Sequence, residues 1–250
     1  MPGVTIKSKR EIELMRDAGK LLRDVHNRLG EEIAPGISTL DLDKLGEELI
    51  RKTDSIPSFL NYEGYPASVC VSINEEVVHG IPKATRIIKE GDIVSLDIGL
   101  IHNGYQSDAA RTHAVGKVSD EAAALIKVTE ESFFEGIKYA KAGNHLHDIS
   151  NAIGNYCYER GYGVVRDLVG HGIGREMHEA PQIPNFPQKR RGILLCAGMT
   201  LAIEPMINIG GDEVKLLSDG WGCVTKDGSL SSHYENTILI TDGEPEILTL

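Results

Sequence analysis

Five acidic and imidazole side chains in this chain occupy or adjoin apolar stretches: Asp97 in DIVSLDIGL, Asp108 just beyond it, His171 in LVGHGIG, Glu204 in MTLAIEPM and Glu235 in SHYENTILI. An ionised carboxylate in a buried strand is costly unless something positive compensates it. Few Lys or Arg lie in these stretches to do so. Taken singly, a strand Asp or Glu is usually a hydrogen-bonded group, and a lone His a packed core residue. As a set, they are most cheaply explained by convergence on bound metal. Four carboxylates with one imidazole suit Mn²⁺, Fe²⁺, Co²⁺ or Zn²⁺, and carboxylates are able to bridge two ions about 3.5–4 Å apart.

The elements that must position these groups can be read from periodicity. Ser8 and Glu11 have capping-box spacing, and the apolar residues behind them predict an amphipathic helix over 9–32, broken at Pro35-Gly36. A second helix starts at Ser38 or Thr39. Residues 66–80 and 91–99 read as strands, and Asn103-Gly104 is the strongest hairpin signal in the chain. With those two as the loop, cross-strand partners have numbers summing to 207. Asp108 then lies opposite Gly99, and Asp97 is its diagonal neighbour on the same face. Helices at about 120–141 and 146–160 follow, then further strands.

That order suggests internal duplication. Gly91 to Asp97 aligns with Gly198 to Glu204 at an offset of 107 residues, which also matches Gly36 to Gly143 and Asp41 to Asp148. Asp97 and Glu204 are thereby expected at equivalent strand positions across an approximate two-fold axis. His-Gly-Ile occurs once per half, at His79 and His171. No linker separates the halves, so the expectation is one domain over 1–250, with halves at roughly 8–115 and 119–245.

Lys and Arg total 26 against 37 Asp and Glu, a net charge of −11, and this argues against nucleic acid as a partner. The run Lys189-Arg190-Arg191 reads as a solvated turn. Cys70, Cys157, Cys196 and Cys223 include no C-x-x-C pair, so neither a disulfide scaffold nor a thiolate zinc site is expected. No stretch is long and apolar enough for a membrane span and no export signal is seen, so the expected setting is the cytoplasm.

The segment HGIGREMHEAPQIPNF, from His171 to Phe186, closely resembles the signature of the type I methionine aminopeptidases. NEEVVHGIP at 74–82, the Asp97/Asp108 hairpin, AIEP at 202–205 and HYENT at 233–237 extend the resemblance over essentially the whole chain. It implies an α+β, pita-bread fold of two pseudo-symmetric halves, in which helices cover an antiparallel-rich sheet. It also implies two divalent ions (Co, Mn, Fe or Zn) and removal of the initiator Met from nascent polypeptides when the second residue is small. Asp97, Asp108, His171, Glu204 and Glu235 match the five ligands of that family, with Asp108 and Glu235 bridging.

The resemblance further implies that Glu204 relays the proton of the attacking water, that His178 polarises the scissile carbonyl and that His79 contacts the scissile nitrogen. Tyr62, Tyr65, Cys70 and Trp221 match positions lining the methionine pocket. Phe59 and Met177 depart from the best-known bacterial pattern, where Cys and Phe are common, and the two changes roughly balance in volume. Asn74 and Ser231 match a monovalent-cation site. His145 and His147, two apart at a helix start, read as cap or surface residues.

A monomer with transient ribosome contact is the expected state. The chain opens Met1-Pro2, a substrate-like start. A proline-specific dipeptidase or aminopeptidase P of the same fold would carry a further N-terminal domain, which a chain entering directly on its first helix is expected to lack. A non-catalytic member would have lost ligands. A thermolysin-like protease is excluded because Gln182 stands where H-E-x-x-H needs its second His.

Overall fold

The computed structural model describes residues 3–250, so the Met1-Pro2 start lies outside the described residues. At Ser8 the hydroxyl accepts from the Glu11 N–H while the Glu11 carboxylate accepts from the Ser8 N–H, opening α1 (Lys9–Gly30). Ser38 and Asp41 repeat the device at α2 (Thr39–Lys52). Such N-caps are typically worth about 1 kcal/mol each. The first half continues through β1 (Ile56–Pro57), β2 (Val69–Ile73), β3 (Glu76–Val78), β4 (Ile93–His102) and β5 (Tyr105–Ala114).

The second half begins with α3 (Asp120–Ile137) and α4 (Leu146–Tyr158). Short strands follow: β6 (Gly163–Val164), β7 (Gly170–Gly172), β8 (Glu179–Ile183), β9 (Thr200–Ile203) and β10 (Met206–Asn208). The last are β11 (Val214–Leu216), β12 (Cys223–Thr225), β13 (Ser231–His233), β14 (Glu235–Leu239) and β15 (Glu246–Ile247).

Some boundaries differ from the sequence expectation. The strand expected over 66–80 is broken because Asn74 takes φ 60° and turns the chain between β2 and β3. The Asn74 side chain fixes that turn by accepting from the Ile93 N–H and donating to Asp92. The first and third helices stop at Gly30 and Ile137, short of the expected ends.

The hairpin matches its expected register. Asn103 and Gly104 have φ 50° and 80°, the double positive φ of a type I′ turn, and Gly99 pairs with Asp108 while Asp97 pairs with Ala110. The main sheet runs β1-β4-β5-β14-β9-β7-β8, with β2 added on β4 and β15 on β14, and its described pairings are antiparallel.

Helices cover one face of this sheet. Leu22, Leu29, Leu42 and Ile50 pack against Val94, Leu96 and Ile98, while Phe133, Ile149 and Ile153 pack against Leu201, Ile203 and Ile238. Each such fully buried side chain stabilises by about 1.5–3 kcal/mol. Strand residues alternate faces, so Asp97 and Gly99, between those core residues, look the other way. No helix among the described residues is long and apolar enough to cross a membrane.

Candidate metal centre and pocket

The pairing register carries the chemistry of five strands, β4, β5, β14, β9 and β7, onto one patch. Directly opposed residues share a face. Asp97 lies opposite Ala110, and Ala110 lies opposite Glu235 on its other side. A second row runs from Thr237 to Ala202 to His171. Asp108 sits two residues from Ala110, and Glu204 two residues from Ala202, so all five candidate ligands occupy the face away from the helices. The small side chains of Ala110 and Ala202, both fully buried, leave the space into which the larger groups turn.

His171 Nδ1 is 2.8 Å from the Gly172 carbonyl oxygen, which only accepts, so the ring carries its proton there and leaves Nε2 bare. That bare nitrogen faces Glu204 Oε1 at 3.5 Å and Asp108 Oδ2 at 3.8 Å. A lone pair aimed at two carboxylates calls for a cation between them. Asp97 Oδ1, Asp108 Oδ1 and Glu235 Oε1 are likewise buried without a hydrogen-bond partner.

Donor atoms of Asp108, His171 and Glu235 lie within 4.8 Å of one another, as do those of Glu204, His233 and Glu235. Oxygen-rich donors with imidazole, at that spacing and with those orphaned oxygens, fit divalent cations. Without such charge, burial pushes the Asp97 carboxyl up to about 7. Burial, reinforced by neighbouring carboxylates, raises Asp108, Glu204 and Glu235 well above the usual carboxylate range. Burial holds His171 down to about 4, with His178 adding to the effect.

The centre forms the base of a cavity of about 190 Å³ that also exposes Phe59, Tyr62, Tyr65, Cys70, His79, Met177, His178 and Trp221. His79 directly follows β3 with φ 58°, a strained position for a residue other than glycine and one that clusters at working sites. His178, at the exposed mouth, packs edge-on against the His171 ring, and its Nδ1 lies 2.8 Å from the Tyr62 hydroxyl. Tyr65 donates to the Gly80 carbonyl and meets Trp221 edge to face. Cys70 lies opposite Asp97, and burial beside that carboxylate pushes its thiol up, so it serves as an apolar wall.

Phe59 and Met177 both press on Gly99, where a Cβ would stand 3.0 Å from each. The missing side chain at Gly99 is what makes room for Phe59.

Asn74 and Ser231 are brought together, the Ser231 N–H donating to the Asn74 carbonyl, but both lie outside the cavity lining and the Asn74 amide is committed to its turn. His145 caps α4 and His147 contacts the Arg190 carbonyl. Lys189, Arg190 and Arg191 are exposed, and the four cysteines are free.

Sequence reasoning missed Glu63, Val78, Leu168, Val169 and Met206 in the lining, and above all His233 beside Glu204 and Glu235. Burial, His79 and Arg111 hold His233 down to about 3. The readable signal was its spacing: two residues before Glu235 in an extended chain, it shares that residue's face.

A profile described as metallopeptidase family M24 matches residues 13–242. The methionine aminopeptidase of Clostridium acetobutylicum is 57% identical over 247 residues, covering 99% of both chains. The crystal structure of methionine aminopeptidase from Rickettsia prowazekii superposes with a TM-score of 0.97 at 39% identity, covering 99% of this chain and 100% of that one. A Xaa-Pro dipeptidase from Bacillus anthracis shares the fold at a TM-score of 0.79 and 26% identity, but the match spans only 61% of its length. The architecture is thus the pita-bread fold. The full-length match on one side and the partial match on the other place the chain in metallopeptidase family M24, among the bacterial methionine aminopeptidases.

Proposed function

We propose that this chain removes the initiator methionine from nascent polypeptides whose second residue is small, using two divalent ions. The observation that carries this reading is the convergence of Asp97, Asp108, His171, Glu204 and Glu235 at the base of an apolar cavity flanked by His79 and His178. These five would hold the ions (Co, Mn, Fe or Zn). When bound, such ions supply the charge that makes a water molecule a nucleophile at neutral pH.

The remaining steps belong to the chain's own side chains. Glu204 takes the proton released by the attacking water and passes it toward the leaving amine. For His178 to donate from Nε2 to the scissile carbonyl oxygen as its negative charge grows, its Nδ1 accepts from the Tyr62 hydroxyl 2.8 Å away, the arrangement that this contact allows. His79 contacts the scissile nitrogen. Phe59, Tyr62, Tyr65, Cys70, Met177 and Trp221 enclose the methionine side chain and exclude water from it.

One catalytic domain over residues 1–250, built from halves at roughly 8–115 and 119–245, accompanies this reading. Its support is that Gly36 and Gly143 share φ 97° and 92°, Gly91 and Gly198 share 90° and 92°, and Asp41 and Asp148 each accept from a helix N-cap. A monovalent cation at Asn74 and Ser231 would have to rely on backbone carbonyls. We take the enzyme as a cytoplasmic monomer that meets its substrates in transient contact with the ribosome, with no nucleic acid as substrate.

The test is metal-stripped protein reloaded with each ion and assayed on Met-Ala-Ser beside Xaa-Pro peptides. Methionine release only with metal, and abolished or strongly reduced in H79A and H178A, is the expected result. No release with any ion, preference for Xaa-Pro, or unchanged turnover in both variants would overturn the assignment. For E204Q, normal metal content with normal turnover would remove Glu204 as base.

A further inference from the structure

His233 ends β13, two residues before Glu235, and is buried. Its Nε2 stands 3.9 Å from Glu204 Oε2 and 3.9 Å from Glu235 Oε2. That is beyond a hydrogen bond, which for N–H···O ends at about 3.2 Å. It does match two donors on one cation: with bonds of about 2.1 Å, donors at a right angle are about 3.0 Å apart and opposed donors about 4.2 Å. Neither ring nitrogen of His233 has a hydrogen-bond partner among the described residues, although its side chain is only 2% exposed. Burial without partners is costly for so polar a ring.

His171 Nε2 approaches the other Glu204 oxygen, Oε1, at 3.5 Å. Glu204 is therefore flanked by one imidazole on each of its oxygens, and Glu235 is common to both three-residue groups.

We propose that His233 is a sixth metal ligand, its Nε2 joining Glu204 and Glu235 on a shared cation so that the centre carries two imidazoles. This rests on the dinuclear reading above and deepens it. A second nitrogen donor shifts the ion preference from Mn²⁺ toward Co²⁺ and Zn²⁺, since imidazole favours the later ions while carboxylate suits Mn²⁺.

The test loads metal-stripped wild type, H171Q and H233Q with Zn²⁺ and follows the histidine rings by long-range proton–nitrogen correlation. Two rings acquiring metal-bound nitrogen shifts in wild type is the expected result, one of them lost in each variant. Zn²⁺ affinity, measured by competition with a chromophoric chelator, is expected to fall on the order of 10–100-fold in H233Q, and Mn²⁺ affinity by less. A single metal-shifted ring in wild type, the one absent from H171Q, would overturn the role of His233 while leaving the metal centre standing. If no ring responds and no Zn²⁺ is taken up, the metal-centre reading itself fails. The wild-type ring count decides the question even where H233Q folds poorly.

Discussion

Replacing Asp97 by Asn should stabilise the metal-free protein at neutral pH while weakening its hold on metal. Burial pushes the Asp97 carboxyl from 3.8 up to about 7. The folded protein therefore keeps a proton on Asp97 that the unfolded chain releases above pH 3.8. The contribution of Asp97 to the stability of the metal-free wild type therefore falls as pH rises from about 4 to about 7, and levels off beyond, and comparison with D97N isolates it from the other buried carboxylates. At about 1.4 kcal/mol for each tenfold change in proton affinity, the full penalty is about 4 kcal/mol. An amide of nearly the same shape does not ionise, so it escapes this penalty.

The assay is equilibrium urea unfolding of chelator-treated wild type and D97N at about pH 4, 6 and 8, settings that span the titration. D97N is expected to match wild type at the lowest pH and to exceed it by up to about 4 kcal/mol at the highest. Saturating metal should reverse the order, since the wild-type carboxylate is then compensated and the amide is a poorer ligand. A metal-free D97N less stable than wild type at the highest pH would refute the reasoning. So would a gap between the two that closes, rather than opens, as pH rises.

Two other substitutions probe the walls around the centre. Gly99→Val places side-chain atoms where Ser58, Met177 and Phe59 already stand within 3.0 Å of the position a Cβ would take. Overpacking of about 1–3 kcal/mol converts to a loss of roughly 5–150-fold in kcat/KM on Met-Ala-Ser with metal content unchanged; wild-type KM and kcat would show that the pocket does not depend on that gap. Lys7→Met strands Glu179, whose Oε2 is 2.7 Å from Lys7 Nζ and whose Oε1 accepts from the Arg175 N–H in the turn that carries Met177 and His178. Breaking so buried a pair costs about 3–5 kcal/mol, which in a chain of this size lowers Tm by about 6–20 °C. The double variant K7M/E179Q should recover much of that loss, and an unchanged Tm in K7M would remove the ion pair from the stability of this turn.

How much of this site was legible in the sequence depended on how far apart its parts lie along the chain. Asp97 and Asp108 were readable because Asn103-Gly104 dictates a two-residue turn, and a turn of known length sets every cross-strand partner in the hairpin. Asp97 and Glu204 were readable as equivalents through the shared offset. Glu235 could be named as a ligand from composition and resemblance, yet its place opposite Ala110 could not be derived. That requires β14 to insert between β5 and β9, a choice made by long-range packing of the two helix pairs and not by local pattern.

His233 escaped for a related reason. Its strand β13 belongs to a separate three-stranded sheet with β10 and β6, so the two-residue spacing to Glu235, its one local signal, does not by itself show that the ring returns to the metal face. Phe59 makes the same point for the pocket. Compared with a Cys at that position it narrows the wall, and only Gly99, forty residues on (99 against 59), shows where the extra ring goes. A wall built from a loop, a strand and the turn before β8 has its volume set jointly. Substitutions there are therefore expected to act on Met selectivity in pairs, Phe59 with Gly99 and Met177 with Gly99, instead of one at a time.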